Sequence, residues 1–146
     1  MSSTATLDES PTLARRIFGL RTIASEPGRT RQAVHKGLTG AKVRALQRQL
    51  GVNQKTLASL VGVAPRTLQS LEGRKRLSAV ATDRAARLVR VFDYAVEVLG
   101  DKDAASGWLL DVNQALGGEA PITWLGTDAG TLEVVDLLGR IDHGMW

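Results

Sequence analysis

Asn53 to Arg74 reads NQKTLASLVGVAPRTLQSLEGR, and its spacing predicts two short crossed helices joined by a tight turn. Asn53 is a capping residue, and Leu57, Leu60 and Val61 recur behind it at helical spacing. The first helix therefore begins at Gln54 and stops at Gly62. Ala64 takes the next cap position, and Pro65 stands at the first helical position, where the missing N–H costs least. Leu68 and Leu71 then give the second helix an inward stripe as far as Gly73. Ala58 is small where the second helix must cross closely, and Gly62 falls where the turn calls for positive φ. These are the marks of a helix-turn-helix.

The inward positions leave Arg66, Thr67, Gln69 and Ser70 on the outer face of the second helix. Arg and Gln are the side chains that read guanine and adenine edges bidentately in the major groove. Arg74, Lys75 and Arg76 follow as phosphate clamps would, and Gln54 and Lys55 open the first helix. An ordinary αα-hairpin with solvated charges would share the spacing, but not the charge distribution given below. The stretch resembles the Xre/Cro class of helix-turn-helix repressors, in which Gln54 matches the residue that opens the positioning helix. That resemblance implies operator DNA as a partner.

The chain has 146 residues, 43% hydrophobic and 23% charged, which is ordinary for one core-forming domain or two small ones. Cysteine is absent, which excludes a disulfide framework and thiolate metal sites. No apolar run approaches a membrane span, and the first twenty residues lack the continuous apolar stretch of a secretory signal. A cytoplasmic protein is expected. The net charge of +4 hides a division. Residues 1–76 hold 14 Lys and Arg against 4 Asp and Glu, net +10, whereas residues 77–146 hold 5 against 11, net −6. The basic part suits a polyanion and the acidic part would be repelled by it, so two partners are implied.

In chain order, residues 1–29 read as an arm. Met1 to Ser10 is small and polar, and Pro11 to Leu20 forms a short amphipathic helix with Leu13, Ile17 and Leu20 on one face. Such an arm could grip DNA, lie on a partner or remain solvated, and Ser25-Glu26-Pro27-Gly28 breaks it. Residues 30–76 form the DNA-binding domain, with supporting helices over Thr30–Lys36 and Thr39–Leu50 closed by Gly37 and Gly51. Residues 77–146 form a helical dimerisation and partner-binding domain. Its long helix runs from Ala79 to Leu99, with Val80 placed on the apolar stripe. Asp101 caps a helix to Leu110, and residues 112–121 form a loop. Pro121–Leu125 makes a turn, and a last helix from Thr127 and Asp128, bearing Leu132, Val135, Leu137 and Leu138, ends at Gly139. Trp108 and Trp124 read as core. The fold class is all-α.

Several separated motifs carry a second resemblance: Thr82-Asp83-Arg84, Trp108-Leu109, Asn113-x-Ala115-Leu116-Gly117-Gly118, Pro121, Gly130, Val134 and Gly139-Arg140-Ile141-x-His143-Gly144. In this order they resemble the Xre/MbcA/ParS-type antitoxins and their toxin-binding domain, over roughly residues 35–146. The resemblance implies a gene beside a RES-domain toxin that degrades NAD or uses it to ADP-ribosylate a target. It also implies that the carboxy-terminal region covers the toxin's active-site cleft while the helix-turn-helix represses the operon. The residues it assigns to the toxin are Arg140, Ile141, Asp142, His143, Gly144, Met145 and Trp146. Physically, a glycine-flanked tail with a terminal Met-Trp offers aromatic area and hydrogen-bonding groups at a chain end, suited to a pocket. It could equally fold back through Ile141 and Trp146.

No catalytic constellation is present. Two isolated histidines, no cysteine, no phosphate-binding glycine loop and no metal-ligand spacing leave no nucleophile with a base, and no cofactor is expected. A homodimer on an inverted repeat is expected, because one small reading head makes too few contacts. A free-standing transcriptional regulator whose carboxy-terminal half only dimerises or senses a ligand is the alternative.

Overall fold

Ser78 accepts from the amide of Ala81 and starts a 21-residue helix, Ala79–Leu99, against which most of the other helices pack. A computed structural model describes residues 10–144. In order, the helices are α1 (Leu13–Phe18), α2 (Pro27–Lys36), α3 (Gly40–Leu50), α4 (Gln54–Val61), α5 (Pro65–Gln69), α6 (Ala79–Leu99), α7 (Lys102–Leu110) and α8 (Asp128–Asp142). Two 3-10 turns, Gln114–Leu116 and Pro121–Gly126, lie between α7 and α8. Among the described residues the only β-type pairings are isolated bridges, Thr39 with Arg76 and Asn113 with Glu119. The all-α class holds.

Local sequence explains where the helices start. Thr12, Thr39, Asn53, Ser78, Asp101 and Thr127 each accept from the amide three residues on, satisfying a donor that the helix cannot. The other two helices open instead with Pro27 and Pro65. Pro27 therefore starts α2 three residues earlier than expected, rather than breaking the chain.

One apolar cluster runs from Leu13 on α1 to Leu138 on α8. On α6 it takes Ala81, Ala85, Leu88, Val89, Val91, Phe92 and Ala95, all essentially inaccessible. Helices α1, α2, α4, α7 and α8 each pack against α6. The expected arm is thus part of the body. Leu13, Ala14, Ile17 and Leu20 are buried, α1 lies between α3 and α6, and Lys42 Nζ donates to Arg16 O at 2.8 Å. Residues 1–9 lie outside the described residues.

Four further expectations change. Val80 is 64% exposed, so the buried stripe of α6 begins at Ala81. Trp108 and Trp124 are half-buried, packed against the core rather than within it. The indole N–H of Trp124 donates to Glu119 Oε1 at 2.8 Å. On α8 the buried positions are Gly130, Thr131, Val134, Leu137 and Leu138, while Leu132 is 62% exposed. Gly139 does not end α8. The helix continues to Asp142, because nothing within it breaks the hydrogen-bond ladder and His143 N donates to Gly139 O at 3.1 Å.

Candidate nucleic-acid interface and carboxy-terminal surface

Helices α4 and α5 meet across a turn that Gly62 alone can make. Its φ is +77°, in the left-handed region, and Val63 N closes the turn onto Ala58 O at 2.9 Å. Ala58 is wholly buried at the crossing, and Leu68 and Leu71 are buried behind it. Helix α5 stops at Gln69, short of the expected Gly73. Ser70 turns its hydroxyl back onto Thr67 O at 3.0 Å, and Leu71 N reaches only Leu68 O at 3.3 Å. Leu71 is buried from a turn, not a helix, because its backbone rests on α3. Arg44 Nη1 donates to Leu71 O at 3.4 Å, and a side chain at Gly40 would collide with that same carbonyl.

The residues expected to contact DNA lie mostly on the surface. Arg66, Gln69, Ser70, Arg74 and Lys75 are exposed, as is Lys55; Gln54 and Thr67 are half-buried at the starts of α4 and α5. None of the basic residues in this set pairs with a described carboxylate, the ion pairs being Arg29 with Glu26 and Arg140 with Asp136. Unpaired cations beside two helix ends are free to take phosphate. Arg76 is exposed but tethered: its Nη1 donates to Gly37 O at 3.0 Å, and it pairs with Thr39 in an isolated bridge.

Two residues of the Thr82-Asp83-Arg84 motif on α6 have a positioning role that the motif alone does not disclose. Arg84 Nη1 donates to Val61 O at 3.4 Å, and a Cβ on Gly62 would collide with the same guanidinium. It therefore clasps the turn of the reading head. Thr82 is fully buried, accepts from the amide of Leu38 at 3.3 Å and donates to Leu77 O at 3.4 Å. With Leu77 N donating to Leu38 O at 2.8 Å, it fixes the start of α6 to the α2–α3 junction. The available signal was polarity at apolar register: Thr82 and Arg84 fall among Ala81, Ala85 and Leu88.

On the other side of α6 the motif residues build a compact corner. Asn113 Oδ1 accepts from Ala115 N at 3.0 Å, and Asn113 N and Glu119 O pair at 2.9 Å. Gly117 and Gly118 carry positive φ between them. Arg87 Nη2 donates to Leu125 O at 3.1 Å, tying the second 3-10 turn to α6, and this turn also touches α4. Of the residues assigned to a protein partner, Arg140, Ile141 and Asp142 are the last turn of α8, and His143 and Gly144 follow it. All but the half-buried Ile141 are exposed. Arg140 pairs with Asp136 at 3.4 Å. Met145 and Trp146 lie outside the described residues.

Comparison with known proteins finds two family matches along the chain. Residues 30–90 match the antitoxin Xre-like helix-turn-helix domain, and residues 95–144 match the antitoxin Xre/MbcA/ParS C-terminal toxin-binding domain. A curated relative, "Antitoxin Xre" of Photorhabdus laumondii subsp. laumondii, is 32% identical over 114 residues, which is 77% of each chain. The chain belongs to the Xre antitoxin family. A second Xre antitoxin, from Yersinia enterocolitica serotype O:8, is 42% identical over 72 residues, about half of each chain. In this Xre-family chain, α1 lies before both matched domains. No helix among the described residues is long and apolar enough to cross a membrane.

Proposed function

We propose that this chain neutralises a cognate RES-domain toxin, which degrades NAD or transfers its ADP-ribose, by laying the end of α8 and the residues after it over the toxin's active-site cleft. Through α4 and α5 it represses its own operon, binding as a cytoplasmic homodimer to an inverted repeat with half-sites about one helical turn apart. The observation that carries this reading is the placement of the two matched domains on opposite charges. Unpaired cations surround α5 within a part of net +10, and α8 ends a part of net −6 that operator DNA would repel.

Arg140, Ile141 and Asp142 are presented by a helix, so the groups that would enter the cleft are held in register before they bind, which lowers the ordering cost of association. The test is to express the product of the adjoining gene with and without this chain and to measure growth and cellular NAD. Loss of NAD that co-expression reverses is expected. An adjoining product with no effect on growth or NAD would assign the chain to free-standing regulation instead.

A further inference from the structure

Between the start of α1, the Thr22–Ala24 turn, α6 and α8 lies an open groove of about 630 Å³. Its walls are mainly apolar, with Ile23, Val91, Val96 and Val135 among the lining residues and Leu132 at the mouth. Leu132 is a large apolar side chain left 62% exposed on a helix that buries its neighbours Thr131 and Val134 completely. Leu132, Val135, Gly139 and Asp142 follow at spacings of three, four and three, which places them on one face of α8. Opposite them on α6 stand Arg90, Tyr94 and Glu97. The Tyr94 hydroxyl lies over Gly139, where a Cβ would be 3.5 Å away. Tyr94 also lines the groove, so this contact links the groove to the end of α8.

We propose that this seam, from Leu132 to Asp142, seats a helix of the cognate toxin that carries an apolar ridge. The proposal rests on the antitoxin reading above and gives its partner a surface separate from the terminal residues. Val96, Glu97, Leu132, Val135, Gly139 and Asp142 all fall within the residues that match the toxin-binding domain, so the seam is continuous with that region. A groove between two helices accepts a third by ridge-into-groove packing, with anchors at spacings of three and four. The groove itself carries both signs of charge, Arg90 and Lys102 beside Glu97, and Asp136 is paired with Arg140, while the part of net −6 that holds the seam opposes DNA.

The test uses the full-length chain and the product of the adjoining gene. Leu132→Glu is expected to weaken their association by about tenfold or more, as for a central apolar anchor. Leu132→Lys is expected to weaken it to a similar degree, because it too places a charge at the apolar anchor. Val112→Glu, an equally exposed apolar position at 69% in the same matched region, should leave association unchanged. Operator binding by all three variants should match the wild type, which reports folding. If Leu132→Glu binds the toxin as tightly as the wild type does, the seam is overturned while the antitoxin reading stands. If the wild type itself forms no complex, that reading fails and the seam with it. A variant that dissociates a dimer in sedimentation without losing toxin affinity would also overturn the proposal, assigning the seam to self-association.

Discussion

Asp93 accepts from the amide of Leu13, 80 positions earlier in the chain, at 2.8 Å, and its second oxygen accepts from Ala14 at 2.9 Å. A carboxylate on α6 thus caps the first turn of α1 beside that helix's own Thr12 cap. Asp93→Ala should cost about 1–2 kcal/mol, the usual loss when a cap is removed and its amides are left without acceptors. Urea unfolding would measure it.

The same residue gives a pH dependence of definite sign. Burial raises its carboxyl above the ordinary 3.8, outweighing the opposite pull of the Ala14 and Leu13 amides and of Lys102. As pH falls, the native state takes up this proton before the unfolded chain does. Its contribution to stability is therefore complete below 3.8 and is lost as pH rises through the raised native value. The wild type should gain stability relative to Asp93→Asn as pH is lowered through that window. A difference that stays constant with pH would exclude Asp93 as the group responsible.

Gly62→Ala should cost about 1–2 kcal/mol from backbone conformation alone, since φ is +77°. The collision with Arg84 adds to this. Arg84→Ala removes the obstacle but also the donor to Val61 O. The double variant should therefore be less destabilised than the sum of the two single ones, which a double-mutant cycle by chemical denaturation would show. Strict additivity would mean that the two residues do not meet.

At the reading head, Arg66→Ala is expected to lose about 1–3 kcal/mol on the specific operator and to relax one base position. Lys75→Ala should weaken all sequences alike and reduce the salt slope by about one unit. Arg76→Ala should differ from both, because it also frees Gly37 O and lowers thermal stability. Footprinting at several salt concentrations, with parallel melts, separates the three.

Deleting residues 140–146 should release toxin activity while the truncated chain still binds its operator. The seam around Leu132 remains in such a chain, so association is expected to persist after inhibition is lost. Restored NAD and growth with the truncated chain would show that these residues are not the inhibitory element.

The helix boundaries were legible wherever chemistry is local. Ser78 and Gly100 delimit α6, and Asn53, Gly62 and Pro65 frame the reading head. Errors arose where a distant partner decides. Leu71 continues the apolar period of α5, yet it is buried by α3 after the helix has ended. Leu132 sits at helical spacing with Val135, but only one side of α8 meets the core, and periodicity cannot tell which of two adjacent stripes is covered. Helix α1 has the same apolar face whether it lies on solvent, DNA or its own body, and the contact with Asp93 that settles the matter spans most of the chain. The exposed face of the helix-turn-helix was legible because it is what packing leaves over. Thr82 and Arg84 were legible as motif residues but not as braces, since a brace is defined by what it holds.

Helix α6 forms a wall of both matched regions, and the apolar cluster passes through it without a break from Leu13 to Leu138. Unfolding begun at either end would expose a core that the other end needs. Under the proposed function, a protease that pulled on this chain would therefore erase repression and neutralisation in the same event. On that reading the toxin would be freed at the moment its operon was derepressed, with no interval in which one safeguard outlasts the other.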